Sequence, residues 1–114
     1  MEYNFWEDGD NHSPVEEDIE DLADKDSDSA ARVIKKLEIV EQLSFRQLQT
    51  SKTVEHIKDK IWTLRYYLKD KICRIYFKVD QHGVMQLLHF VIKKSWKLKQ
   101  KDIAIAEARA KTII

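Results

Sequence analysis

Between Ile61 and Ile92 the chain reads IWTLRYYLKDKICRIYFKVDQHGVMQLLHFVI, and this stretch decides the fold. β-Branched and aromatic residues crowd Ile61 to Leu68 and Ile72 to Val79 with a period of two, which predicts two strands. Lys69-Asp70-Lys71 is short enough to close a hairpin between them. Gln81-His82-Gly83 supplies a second turn before Val84 to Ile92. A three-stranded antiparallel meander follows. The last strand is apolar on both of its faces, as expected of a central strand covered on two sides.

Alternation also sorts the side chains. Trp62, Leu64, Tyr66 and Leu68 share one face of the first strand, and Cys73, Ile75, Phe77 and Val79 the matching face of the second. Arg65, Arg74, Tyr76 and Lys78 are thereby turned to the opposite face, where the two guanidiniums and the phenol can gather. Forked Arg donors match phosphate oxygens, so such a face suits an anion. Beyond the meander, Lys93 and Lys94 are followed by Lys97, Lys99 and Lys101 around Trp96, a basic run beside an aromatic that can grip a nucleic-acid backbone.

Upstream of the sheet the period is helical. Ser13-Pro14-Val15-Glu16 combines a capping serine, a proline suited to the first helical position and a glutamate that completes a capping box. Val15, Ile19, Leu22 and Ala23 then give a short acidic helix one apolar face. Asp24-Lys25-Asp26-Ser27-Asp28 interrupts it. Asp28 or Ser27 is expected to cap a second helix, striped by Ala30, Val33, Ile34, Leu37, Val40 and Leu43. Gln47 to Asp59 reads as a polar connection. Tyr3 to Trp6 is a possible short strand, and Ile103, Ala106 and Ala110 stripe a C-terminal helix. The expected fold is α+β, one domain over residues 1–114 with two N-terminal helices packed on an antiparallel sheet and a helix at the C-terminus.

The 114 residues are 43% hydrophobic and 35% charged, enough for one core but not two domains. The formal net charge of +0 conceals a polarised chain. Met1 to Ser44 holds 14 acids and 4 bases, whereas Phe45 to Ile114 holds 6 acids and 16 bases. That asymmetry argues for a basic surface facing an anion, with an acidic element elsewhere. No apolar run is long enough to span a bilayer, and the first ten residues lack the basic and apolar blocks of a signal peptide. A cytoplasmic protein without membrane contact is expected. Asp24-x-Asp26-x-Asp28 fails as a calcium loop, since Ser29 and Lys35 stand where the turn glycine and bidentate glutamate belong. The four histidines show no metal-ligand spacing and no phosphate-cradling glycine loop occurs, so neither metal nor cofactor is expected. Cys73, on the apolar strand face, reads as a buried structural thiol.

Several segments in order, Tyr3-x-Phe5-x-Glu7-Asp8, Ser13-Pro14-Val15-Glu16-Glu17, Ile61-Trp62-x-Leu64-Arg65, Arg74-Ile75-Tyr76-Phe77, Leu87-Leu88-His89 and Ile92-Lys93-Lys94-Ser95, resemble the HigB-like branch of the RelE/ParE toxins, often labelled phage-derived proteins. The likeness extends through Ile103-Ala104-Ile105-Ala106 to Arg109. It departs from the family pattern where Phe90 and Lys60 replace common glycines, Thr63 a glutamate and Lys99 a proline.

The resemblance implies a type II toxin, a metal-independent endoribonuclease that cuts mRNA on the ribosome. Its partners would be the ribosome, mRNA and a cognate antitoxin, expected to be a small helix-turn-helix protein. Arg65, Arg74, Lys93 and Lys94 match basic positions that the family uses at its RNA site, and Tyr76 and His89 lie in the matched strands. The expected catalytic set is therefore Arg65, Arg74, Tyr76, His89, Lys93 and Lys94, with His56 a further proton-transfer candidate and Lys78, Trp96, Lys97 and Lys99 as RNA contacts. Two other functions stay open at this point: a non-enzymatic toxin that poisons DNA gyrase, and a regulatory module whose acidic helices bind a basic partner.

Overall fold

A computed structural model describes residues 1–94 and 97–114. The chain runs β1 (Tyr3–Phe5), α1 (Pro14–Lys25), α2 (Ser27–Glu41), α3 (Phe45–Thr50), β2 (Val54–Lys58), β3 (Ile61–Tyr67), β4 (Ile72–Val79), β5 (Met85–Lys93) and α4 (Gln100–Ala110). The five strands form one sheet in the order β1-β5-β4-β3-β2. The meander of β3, β4 and β5 is present. The sheet as a whole is mixed rather than antiparallel, because β1 joins the far side of β5 in parallel, with Tyr3 opposite Met85 and Phe5 opposite Leu87.

Two elements arise from the stretch that reads as a polar connection. Ser44 caps α3 by accepting from the Gln47 amide, and the Gln47 side chain accepts in return from the Ser44 amide, a complete capping box. β2 is polar because it is an edge strand, paired only with β3. The predicted caps of the first two helices differ from the observed ones. Ser13 precedes α1, but its side chain makes no capping bond. Asp26, not Ser27 or Asp28, caps α2, its carboxylate accepting from the Ser29 amide and hydroxyl at 3.2 and 2.7 Å.

The sheet carries apolar side chains on both faces. On one, Leu64, Cys73, Ile75, Phe77, Met85, Leu87 and Phe90 pack with Val15 and Ile19 of α1 and Val33, Leu37 and Val40 of α2. Cys73 is wholly buried there, and burial pushes its thiol up to about 12. On the other face Ile61, Tyr76 and Leu88 pack beneath Ile103, Ala106 and Ala110 of α4. The face that alternation turns away from the main core is thus partly roofed by a helix and forms a second, smaller core.

One irregularity in β5 decides which side chains meet α4. Val79, Lys78 and Phe77 pair with Met85, Gln86 and Leu87, whereas Tyr76, Ile75 and Arg74 pair with His89, Phe90 and Val91. Leu88 is therefore an extra residue, a β-bulge that inverts the alternation beyond it. Regular pairing would put His89 and Lys93 on the face of Met85 and Leu87, against α1 and α2. With the bulge, Phe90 and Ile92 take that face, and His89, Val91 and Lys93 turn toward α4.

Candidate functional site

The bulge brings His89 and Lys93 to one carboxylate. His89 Nε2 lies 2.9 Å from Asp102 Oδ1, and the Lys93 ammonium donates to Asp102 Oδ2. Asp102 sits in the first turn of α4 and is only 4% exposed. Burial opposes its ionisation, but the hydrogen bonds from Lys93 and His89, with their nearby charge, outweigh that cost and hold its carboxyl below the usual carboxylate value. An ionised carboxylate only accepts, so the Nε2 facing it carries the hydrogen. Proton exchange with any other molecule then falls to Nδ1. From α1, Asp18 also approaches: burial raises its carboxyl, and the charges of His89 and Arg109 oppose the rise.

Beside this cluster the sheet register sets three cross-strand rows on the same face: Thr63, Tyr76 and His89; then Arg65, Arg74 and Val91; then Tyr67, Ile72 and Lys93. Arg65 and Arg74 are thus directly opposite each other. Arg65 donates to Glu55 of β2 at 2.6 Å in a partly exposed pair, while Arg74 is 6% exposed. Tyr76 is 1% exposed, its ring 5.7 Å from that of His89. Burial raises the Tyr76 phenol, the Asp102 charge adds to the rise and Arg74 opposes it, so the group stays protonated at neutral pH. Buried under α4, Tyr76 supports the His89 ring rather than facing solvent.

A family model for phage-derived Gp49-like proteins (DUF891) matches residues 18–111, most of the chain and every element of the site. The chain belongs to the Gp49-like family. That family is part of the RelE/HigB-type toxin group, generally associated with toxin–antitoxin toxins and with RNase activity. A toxin of this group implies an antitoxin partner. No curated protein matches the chain. Among the described residues, no helix is long and apolar enough to cross a membrane, and no three His, Cys, Asp or Glu side chains are grouped to hold a metal ion.

Within this Gp49-like chain the sequence-based candidates divide into those that gather and those that do not. Arg65, Arg74, Tyr76, His89 and Lys93 share the α4 side of the sheet. Lys94 follows β5 and is exposed. His56 pairs with Trp62, against whose ring it packs edge-on, and its Nε2 lies 2.6 Å from the Asp59 carbonyl oxygen. Trp62 belongs to the face of α1 and α2, so His56 is turned away from the Asp102 cluster. Lys78 is engaged at the far end of α4, donating to the carbonyls of Ala110 at 3.4 Å and Ile113 at 2.7 Å. Lys97 and Lys99 are exposed ahead of α4, and Trp96 lies outside the described residues.

Sequence reasoning missed Asp102. Its signal was present: Asp102, Ala106 and Ala110 recur at intervals of four, which puts a lone acid on the buried stripe of a helix entered through a lysine-rich run. A carboxylate there must find cationic or hydrogen-bonding partners inside.

Proposed function

We propose that this Gp49-like chain forms a single HigB-like toxin domain over residues 1–114. On this reading it is the toxin of a type II toxin–antitoxin pair, a ribosome-dependent, metal-independent endoribonuclease acting in the cytoplasm. The observation that carries the reading is the buried Asp102 carboxylate that orients His89 and Lys93 beside the Arg65–Arg74 row. Cleavage would use the RNA's own 2′-hydroxyl. Its oxygen attacks the adjacent phosphorus, the bond to the 5′-oxygen breaks, that oxygen takes a proton from water and leaves as a 5′-hydroxyl, and a 2′,3′-cyclic phosphate remains. His89 Nδ1 is suited to take the 2′-proton, because Nε2 is committed to Asp102. Arg65 supplies forked donors to the phosphate, Arg74 backs it from the opposite strand with buried positive charge, and Lys93 and Lys94 add positive charge where the transition state gains negative charge. Lys97 and Lys99 extend the cationic border along the path to α4.

The test is single-turnover cleavage of an mRNA on programmed ribosomes in magnesium buffer. The expected result is cutting within the ribosome-covered codons, cyclic-phosphate ends, and loss of cutting in His89→Ala. Intact mRNA in the presence of folded, ribosome-bound protein would remove the nuclease. Induction of the protein alone should also arrest translation and growth, and co-expression of the cognate antitoxin, expected to be a small helix-turn-helix protein, should restore both.

A further inference from the structure

Both carbonyls of the bulge are held from outside the meander. Leu87 and Leu88 stand opposite the single residue Phe77. The Leu87 carbonyl accepts from the amide of Trp6, the residue after β1, at 3.0 Å. The pairing of β1 with β5 ends at Phe5 and Leu87, so β1 does not reach Leu88. Leu88 is wholly buried, and a carbonyl shut off from water needs a donor inside the protein. Arg109 of α4 supplies it, its guanidinium donating to the Leu88 carbonyl oxygen at 2.6 Å.

The guanidinium is itself held in place. Its carbon lies 5.3 Å from the centre of the Trp6 ring, a cation–π contact, and Trp6 Nε1 donates to Thr112 Oγ1 at 2.8 Å just beyond α4. Burial works against the charge on Arg109, while Asp18 of α1 and Asp8, in the loop after β1, favour it. Arg109 follows Asp102 by almost two helical turns, so both project from one side of α4, roughly 10 Å apart along its axis. One helix face thus grips β5 twice, through the side chains of His89 and Lys93 and through the backbone between Leu88 and His89.

We infer that Arg109 is a positioning residue for His89: by holding the Leu88 carbonyl it fixes the peptide plane that joins Leu88 to His89, and with it the direction in which the imidazole leaves the strand toward Asp102. The Leu88 carbonyl and the His89 amide nitrogen belong to one rigid planar unit, so a donor on the first orients the second. Phe90 and Ile92 still anchor β5 beyond the bulge in the main core, so release of the carbonyl costs the aim of His89 rather than the fold. The effect on rate rests on the nuclease reading above, but the state of the His89 ring is measurable without RNA.

The test uses the full chain. Long-range proton–nitrogen correlation spectra of the imidazole rings, recorded at about pH 8, above the ordinary imidazole value, separate the two tautomers. Wild-type His89 should show Nε2–H. In Arg109→Met, which keeps the apolar stem and removes the donors, the His89 signals should move to the averaged pattern of the exposed His82. Arg109→Lys, which keeps a charged donor, should restore most of the wild-type pattern. In single-turnover cleavage the maximal rate of Arg109→Met should fall roughly 10- to 150-fold, the range for a charge-assisted hydrogen bond lost in full. The half-saturating ribosome concentration should stay unchanged, because Arg109 acts on the strand and not on the RNA. Trp6→Leu removes the ring beside the guanidinium at the half-buried end of β1 and decides the matter if Arg109→Met does not fold; its His89 signals should shift the same way, by less. An unchanged His89 pattern in whichever of these two variants decides, or an Arg109→Met rate equal to that of an active wild type, overturns the positioning role and leaves the nuclease reading intact. A wild type that shows the Nε2–H tautomer, loses it in Arg109→Met and cuts no mRNA supports the positioning role and overturns the nuclease.

Discussion

Replacing Asp102 by Asn isolates the group on which the site is built. Asp102 presents two oxygens to two donors, His89 Nε2 and Lys93 Nζ. The Asn amide has one oxygen and one NH₂, so one of those donors must face another donor. A hydrogen bond to a charged group contributes about 1.5–3 kcal/mol, and breaking a fully buried pair costs about 3–5 kcal/mol. Lys93 lies at the end of its strand with its side chain 19% exposed, so it can turn to water and the cost falls at the lower end. A loss of about 2–3 kcal/mol is expected, which for a domain of this size lowers the melting temperature on the order of 10 °C.

The sign of the pH dependence gives a second handle. The folded-state carboxyl of Asp102 is held below its ordinary value, so its stabilisation is fully present above the unfolded value of about 4 and is lost as pH falls through the lower, folded one. Thermal melts of both proteins should therefore show a constant gap from about pH 7 to about pH 5 that narrows below about pH 4. Equal melting temperatures at neutral pH, or a gap undiminished at about pH 3, would refute the account of Asp102 as an ionised bridge.

Arg65→Ala and Arg74→Ala should differ in stability though both slow cleavage: Arg65 is partly exposed and its loss should cost about 1 kcal/mol or less, while Arg74, buried, should cost more. Paired melts and single-turnover cleavage check this, and equal melts would contradict the burial argument. Cys73, whose thiol is pushed up to about 12 by burial, should resist a thiol reagent at pH 8 in the native protein and react once unfolded. Fast native labelling would place it elsewhere. Lys78→Met should loosen the end of α4, read as faster amide exchange at Thr112 and Ile113, because the Ala110 and Ile113 carbonyls lose their ammonium donor.

The meander was legible because β3 and β4 obey alternation throughout and β5 is a long apolar run bounded by a turn, and both long N-terminal helices because their apolar residues keep a helical period. β2 was not legible. An edge strand of Val54-Glu55-His56-Ile57-Lys58 needs only modest apolar content, and its own bulge at Ile57 breaks the alternation further. α3 carried its Ser44/Gln47 signature openly, but six residues are too few for periodicity to register. The parallel docking of β1 is a tertiary choice that no local pattern encodes.

The site itself was half legible, and the reason lies in Leu88. Pattern reading could turn Arg65, Arg74 and Tyr76 to one face because β3 and β4 pair without interruption. It could not do so for His89 and Lys93. Counted from Leu87 by strict alternation, both belong in the core against α1 and α2, where an ammonium would be ruinous. The bulge resolves that conflict by moving Phe90 and Ile92 inward and the two polar residues outward, and Asp102 then gives them a common partner. The same residue explains why β5 reads as apolar on both faces: Leu87 and Leu88, adjacent in sequence, each enter a different core. Sheet register, bulge and α4 are thus one device, and the catalytic geometry proposed for this chain depends on all three being in place together.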